Sequence, residues 1–142
     1  IFPALAFVLQ CNMPFESDAM LQFYHYTFQT FHIALILFNV FGWIPRRTAR
    51  LNLITLVATG LSWTVLGAFY GLGYCPLTDW HYGVLERLGR DNLPVSYIAF
   101  LIEEIWSVRV TATTADWITG TTYALALLAS VVRNITIRQT LP

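Results

Sequence analysis

Lysine is absent from this chain, and charge of either sign is scarce. Only 11% of the 142 residues are charged, whereas a soluble domain usually carries about 25%. This scarcity argues against a soluble helical protein, because so short a chain could not bury its long charge-free runs inside a water-facing shell. The missing lysines by themselves imply no function, since arginine serves equally well as a topology signal.

Cysteine is nearly absent as well. Cys11 and Cys75 lack any metal-ligand spacing, which argues against a zinc site. A glycine-rich phosphate loop, a nucleophile elbow and a basic nucleic-acid patch are also missing. We therefore expect no metal, no catalytic residue and no nucleic-acid partner. Both cysteines would lie on one side of a membrane, where a disulfide and two unpaired thiols are both open.

Long charge-free runs are what the sequence does contain. Residues 19–45 and 51–78 carry no charge, and a third apolar run covers 117–132. Because about 20 apolar residues cross the hydrocarbon core, we predict an all-α integral membrane protein with three transmembrane helices. The predicted spans are about 18–44, 51–73 and 113–133, the outer loop is 74–112, and residues 18–142 form a single membrane domain.

The first 17 residues are expected to form an apolar segment packed at the outer surface. They begin without Met and without a basic region. An upstream continuation and a removed signal sequence are therefore both open.

The charged residues divide into two groups along this topology. The link between the first two runs and the tail after the third hold five arginines, Arg46, Arg47, Arg50, Arg133 and Arg138, and no acid. The remaining segments hold all eight acids and three arginines. Short arginine-rich loops stay on the cytoplasmic side, so we predict a multi-pass membrane protein whose arginine-rich link and C-terminus are cytoplasmic and whose loop 74–112 lies on the outer side.

Polar residues follow one face of each of the first two spans. The first stripe is Gln22, His25, Gln29, His32 and Asn39, and the second is Asn52, Thr55, Thr59 and Ser62. Since polar groups in hydrocarbon need partners, the two stripes should face each other. Matching depth in an antiparallel pair predicts contacts of Asn39 with Thr55 and of His32 with Ser62 and Trp63.

The outer loop contains the most distinctive motif, Cys75-Pro76-Leu77-Thr78-Asp79-Trp80-His81. Thr78 or Asp79 is expected to cap a short helix that Gly89 ends. Ser96 opens a second helix, which is amphipathic and expected to lie in the membrane interface with Ile98, Leu101, Ile102, Ile105 and Trp106 on its apolar side.

The chain resembles a known family at four places, Phe41-Gly42-Trp43, Arg46-Arg47, Leu51-Asn52-Leu53 and, above all, the Cys75–His81 motif. The family is that of the small bacterial membrane proteins grouped as domain of unknown function 2784, and the resemblance covers roughly residues 32–133. It implies a compact multi-span membrane protein, and with the charge pattern it places the chain in the bacterial inner membrane with loop 74–112 on the periplasmic side. No catalytic residue is transferred, since the family supplies none.

His25 and His32 are the sharpest candidates for chemistry. Either imidazole could bind a haem or chlorophyll-type metal as a single axial ligand, but the two lie about 10 Å apart along the helix and cannot sandwich one iron. A structural role within the polar stripe is the alternative that we favour. Cys75 with His81 could form an activated thiolate, and Glu103 with Glu104 a proton or cation site, although capping and solvation explain these residues as well.

Three functions therefore compete. The first is a non-catalytic accessory subunit that packs against other integral membrane subunits and lipid, in a complex such as an energy-converting one, respiratory or photosynthetic. The second is a haem-, chlorophyll- or quinone-binding protein that uses His25 or His32. The third is a small membrane enzyme or transporter that acts through the outer loop. We favour the first, with no cofactor bound through its own side chains.

Overall fold

The computed structural model describes residues 17–71 and 73–139, and all regular structure in this part of the chain is helical. The α-helices are α1 (Asp18–Phe41), α2 (Ala49–Leu61), α3 (Gly67–Tyr70), α4 (Pro76–Arg87), α5 (Tyr97–Trp106) and α6 (Ala112–Gln139). A π-helical turn, Ser62–Leu66, joins α2 to α3 without a break. The all-α prediction is thus confirmed over the described ranges. The predicted segment 1–17, apart from Ser17, and Cys11 lie outside them.

Two helices are long and apolar enough to cross a membrane. One is the continuous helix Ala49–Tyr70 with 22 residues, and the other is α6 with 28 residues. At 1.5 Å per residue the shorter one is about 33 Å long, which matches the hydrocarbon core. α1 is not among the two, because its histidines and glutamines lower its mean hydropathy.

The connection between α1 and α2 is a tight turn. Gly42 follows α1 where a Cβ would meet the carbonyl oxygen and ring of Phe38, so a residue without a side chain fits there. Thr48 then donates to the carbonyl of Gly42 at 2.7 Å, which closes the turn in front of α2. At the other end of α1, Ser17 is the N-cap residue and Asp18 begins the helix.

α2 and α6 pack antiparallel. The Tyr123 hydroxyl donates to the carbonyl of Leu56 at 3.0 Å, and the Asn134 amide donates to the carbonyl of Ala49 at 3.0 Å. Since the later residue of α6 contacts the earlier residue of α2, the two helices run in opposite directions. Gly60 allows this approach, because a Cβ there would overlap the Tyr123 hydroxyl.

The hydrophobic core lies between the helices of the predicted outer loop and α1. Leu85 of α4 packs there with Tyr97, Phe100 and Leu101 of α5, and Ile33 and Ile36 of α1 border the cluster. The loop helices therefore cover α1 over several turns. Leu101 and Ile98 of the predicted apolar side pack in or against this core, whereas Ile105 and Trp106 are 49% and 66% exposed, so a position of α5 in the membrane interface stays a prediction. α4 also begins earlier than predicted, at Pro76 with Cys75 as its N-cap residue.

Candidate functional site: a buried histidine–tyrosine cluster

All three histidines of the chain meet in one cluster, although two lie on α1 and the third is on α4. His25 and His32 are seven residues apart and share one face of α1, since seven residues make about two helical turns. α4 brings His81 against this face, and Tyr97 follows from the first turn of α5. The site therefore depends on three helices and on one contact between residues 56 positions apart.

Hydrogen bonds link three of these rings in a chain. Nδ1 of His25 lies 2.8 Å from Nε2 of His81, and Nδ1 of His81 lies 2.9 Å from the Tyr97 hydroxyl. His81 is completely buried, and His25 is 3% exposed. His32 joins through its ring face, which stacks on Tyr97 with centroids 4.1 Å apart and planes 17° apart.

One proton arrangement satisfies this chain best. If Tyr97 donates to Nδ1 of His81, then Nε2 of His81 carries a proton and donates it to Nδ1 of His25. The reverse direction would make Tyr97 accept from His81 and leave its own hydroxyl proton without a partner among the described residues. A buried donor without a partner costs about 1–3 kcal/mol, so we assign the first arrangement.

Burial keeps His81 and Tyr97 uncharged near neutral pH. Burial, followed by the neighbouring His25 and His32 rings, lowers the pKa of His81 from 6.5 to about 4. Burial also raises the pKa of Tyr97 above its ordinary value. His81 is therefore a neutral imidazole at pH 7, and Tyr97 is a neutral phenol that donates to it.

Aromatic side chains enclose the polar chain. Phe28 stacks near His81 and meets the edge of Trp80, with centroids 6.0 Å and 5.0 Å apart respectively. Phe100 meets His81 edge-on at 5.9 Å, and the Tyr82 hydroxyl donates to the carbonyl of Pro94 at 2.7 Å. This shell excludes water from the histidine pair and fixes the loop before α5 to α4.

The outer-loop motif has structural contacts. Pro76 occupies the start of α4, where its missing N–H costs nothing. Asp79 accepts a hydrogen bond from the Tyr74 hydroxyl at 3.2 Å, and Thr78 is half-buried. Cys75 is a half-buried free thiol. Because both nitrogens of His81 bind His25 and Tyr97, the imidazole does not form the Cys75–His81 pair considered above.

The predicted pairing of the two polar stripes is corrected in its register and its extent. Asn39 donates to Thr59 at 3.1 Å, one helical turn from the predicted Thr55. Asn52 is buried and donates to the carbonyl of Phe38 at 2.6 Å. The two stripes meet near the link between α1 and α2, because α4 and α5 occupy the space beside the rest of α1.

The other stripe residues form no hydrogen bond between the two stripes in the part of the chain that the structure describes. His32 stacks on Tyr97, whereas Ser62 donates to the carbonyl of Tyr74 at 3.1 Å. Thr55 donates to the carbonyl of Asn52 at 2.9 Å. Gln22 is exposed and Gln29 is half-buried, and neither amide has a hydrogen-bond partner among the described residues.

The adjacent acids of α5 form ion pairs at the surface. Glu104 lies 2.8 Å from Arg90, and Glu103 lies 2.7 Å from Arg109.

Over residues 17–71 and 73–139, no group of three or more His, Cys, Asp and Glu side chains could hold a metal ion. Within the histidine cluster, the hydrogen-bonded chain from His25 through His81 to Tyr97 is the path along which a proton could move.

Tyr97 is the member of the cluster that sequence reasoning missed. It begins an apolar helix, where an aromatic residue is expected for packing alone. The available signal was chemical: a buried His81 with two ring nitrogens requires two partners, and only one could come from α1.

Comparison with known proteins agrees with the resemblance seen in the sequence. A family model described as "Protein of Unknown function (DUF2784)" matches residues 22–138, so the match begins ten residues before the region in which we saw the resemblance. Neither the curated proteins nor the solved structures include a significant match to this chain. Since the family model covers most of the 142 residues, the chain belongs to the DUF2784 family of proteins of unknown function.

Proposed function

We propose that this protein is a non-catalytic accessory subunit of a larger membrane complex, with three helices across the bilayer. α1, the continuous helix from α2 to α3, and α6 are the proposed spans. α4 and α5 cover α1 toward the outer side. The arginine-rich end then faces the cytoplasm.

The positions of the charges support this orientation. Arg133 donates to the carbonyl of Ile44 at 3.3 Å, so the end of α6 lies beside the link between α1 and α2. The link and the tail therefore share one end of the molecule, which carries five arginines and no acid. The ion-paired acids of α5 belong to the opposite segment, as the positive-inside pattern requires.

The histidine–tyrosine cluster is the observation that carries the non-catalytic part of the proposal. Each ring that could ligate a cofactor is engaged with another side chain of the same protein. His25 and His81 hydrogen-bond each other, and His32 is stacked on Tyr97. An axial ligand needs a free nitrogen lone pair, and the assigned proton arrangement leaves none on His25 or His81, whereas His32 is held only through its ring face. The cluster instead fastens α4 and α5 to α1.

Gln29 supports a partner protein rather than lipid alone. Its amide lies near the middle of α1 and has no hydrogen-bond partner among the described residues. An amide without a partner in hydrocarbon costs several kcal/mol. A polar group on a neighbouring subunit would remove this cost, and interhelical bonds of this kind contribute about 0.5–2 kcal/mol.

The exposed aromatic residues fit the same arrangement. Trp80, Trp106 and Trp117 are 63%, 66% and 73% exposed and belong to the outer half of the molecule. Tryptophan is enriched at the membrane–water boundary, and it is also a frequent anchor at protein interfaces. These residues can therefore hold the subunit at its depth while its lateral faces contact the complex.

The proposal is tested by purification in a mild detergent and by one substitution. The chain should emerge at a mass well above 16.2 kDa plus its micelle. Gln29→Leu should lower recovery of the copurifying subunit about fivefold, which corresponds to about 1 kcal/mol. Thr27→Val is the matched control, because Thr27 donates to the carbonyl of Phe23 in its own helix.

Two results would contradict this function. A lone monomer with full biological activity after reconstitution would favour the outer-loop enzyme or transporter instead. A Soret or Q absorbance band that survives washing of the purified protein would favour the pigment-binding alternative.

A further inference from the structure

We propose that the arginine-rich end binds the headgroup of an anionic phospholipid, with Arg47, Arg50 and Arg133 as its phosphate-binding residues. This inference rests on the proposed membrane integration. It assigns to this end of the molecule a bound ligand in addition to a topological role.

The three arginines are brought together by contacts between distant segments. Arg133 reaches the carbonyl of Ile44 at 3.3 Å, which places its guanidinium beside the link that contains Arg47. The next residue, Asn134, donates to the carbonyl of Ala49 at 3.0 Å, which places the same turn of α6 beside Arg50. The α1–α2 link, the first turn of α2 and the last part of α6 thus form one surface.

No acid compensates these charges within the described chain. The acid of α6 nearest in sequence to Arg133 is Asp116, about 26 Å away along the helix. The Debye length at physiological ionic strength is about 8 Å, so Asp116 has little effect at this end. Arg47, Arg50 and Arg138 form no ion pair with a described residue, and all three are exposed.

The helix dipole does not compensate the positive charge of Arg50 either. Arg50 stands in the first turn of α2, where the helix dipole is itself positive. Arg138, in contrast, lies in the last turn of α6, where the negative end of the dipole stabilises it. An external anion is therefore favoured more strongly at Arg50 than at Arg138.

Exposed apolar side chains lie close to the arginines, which favours a lipid over a small inorganic anion as the ligand. Ile44 and Leu51 are 52% and 55% exposed, and Val132 is 54% exposed. Each lies within a few residues of an arginine. A ligand that fits this surface carries negative charge and hydrocarbon in one molecule. Anionic phospholipids of the cytoplasmic leaflet have this composition, and each nearby arginine contributes about 1 kcal/mol to their attraction.

The experiment counts lipids bound to the full chain in an uncharged detergent by native mass spectrometry. The probes are phosphatidylglycerol and phosphatidylcholine with identical acyl chains. We expect phosphatidylglycerol to bind at least tenfold more tightly. Replacing both Arg47 and Arg50 with Gln should weaken the binding of phosphatidylglycerol about 30-fold, from two contributions of about 1 kcal/mol each. The binding of phosphatidylcholine should stay unchanged.

Arg109→Gln is the matched control, since it removes one arginine from the opposite segment, where the side chain is 88% exposed. Equal binding of the two lipids, or an equal loss in the Arg109 variant, would overturn the proposal and leave the arginines as topology signals alone. Should the double variant fail to fold, Arg50→Gln alone must show about a fivefold loss. Failure of the membrane proposal is a separate result, in which alkaline carbonate extracts the wild-type chain from membranes.

Discussion

His81 is a titratable residue that the fold removes completely from solvent. Its two nitrogens contact His25 and Tyr97, and its ring is completely buried. A polar ring in such a place stabilises a fold only while it is neutral and while each nitrogen has a partner. The contribution of His81 to stability must therefore depend on pH.

The pH dependence has a definite sign and range. The pKa of His81 is 6.5 in the unfolded chain and about 4 in the folded protein. Between these values the unfolded state binds more protons, so stability is full above pH 6.5 and falls as the pH drops toward 4. The loss reaches about 3 kcal/mol, at 1.36 kcal/mol per pKa unit. Unfolding by SDS in mixed micelles, followed by near-UV circular dichroism from pH 8 to pH 4, measures it.

His81→Gln is the control for this prediction, because glutamine keeps a polar group but does not titrate. The variant should be less stable at pH 8 and should lose much of the dependence between pH 6.5 and 4. An unchanged slope in the variant would assign the pH dependence to other groups. The remaining candidates that face His81 are His25, His32 and the Arg90–Glu104 pair.

The limits of sequence-based prediction become clear among the helices. The charge-free runs predicted the long helices because hydrophobicity and the absence of charge are local properties. The position of α4 and α5 against α1 could not be predicted in this way, since it depends on contacts such as His25 with His81 across 56 positions. The predicted pairing of His32 with Ser62 failed for the same reason: two loop helices lie where α2 was expected.

The contact of α2 with α6 depends on one glycine. Gly60 faces the Tyr123 hydroxyl, which is held in place by its hydrogen bond to the carbonyl of Leu56. Gly60→Ala should destabilise the protein by about 1–2 kcal/mol, because the added methyl group displaces the hydroxyl. The gain in helix propensity of about 1 kcal/mol offsets only part of this cost. SDS unfolding at pH 8 measures the difference.

Two variants separate packing from propensity at this contact. Gly120→Ala lies in α6 with open space around the new methyl group, so it should be neutral or slightly stabilising. In a Tyr123→Phe background the clash with the hydroxyl is absent, and Gly60→Ala should cost less or even stabilise. Equal effects of Gly60→Ala in both backgrounds would show that the Tyr123 hydroxyl does not limit the approach of α2 and α6.

The number of membrane spans determines how the whole molecule is placed in the bilayer. Two helices meet the length and hydropathy expected of a span, and α1 carries His25 and His32 on the face that α4 and α5 cover. Covering these groups with protein lowers the cost of placing α1 in the bilayer, since they no longer contact lipid. We therefore expect α1 to cross the membrane despite its composition.

Single-cysteine labelling of intact cells distinguishes three spans from two. Position 81 is unsuitable because it is completely buried, whereas Ser17 and Gln139 are exposed and Val95 is 93% exposed. In a background that lacks Cys11 and Cys75, a membrane-impermeant maleimide should label Ser17→Cys and Val95→Cys and should reach Gln139→Cys only after permeabilisation. If α1 does not cross, Ser17→Cys will be protected like Gln139→Cys while Val95→Cys still reacts. Labelling of Gln139→Cys in intact cells would overturn the orientation itself, because the five arginines would then face outward.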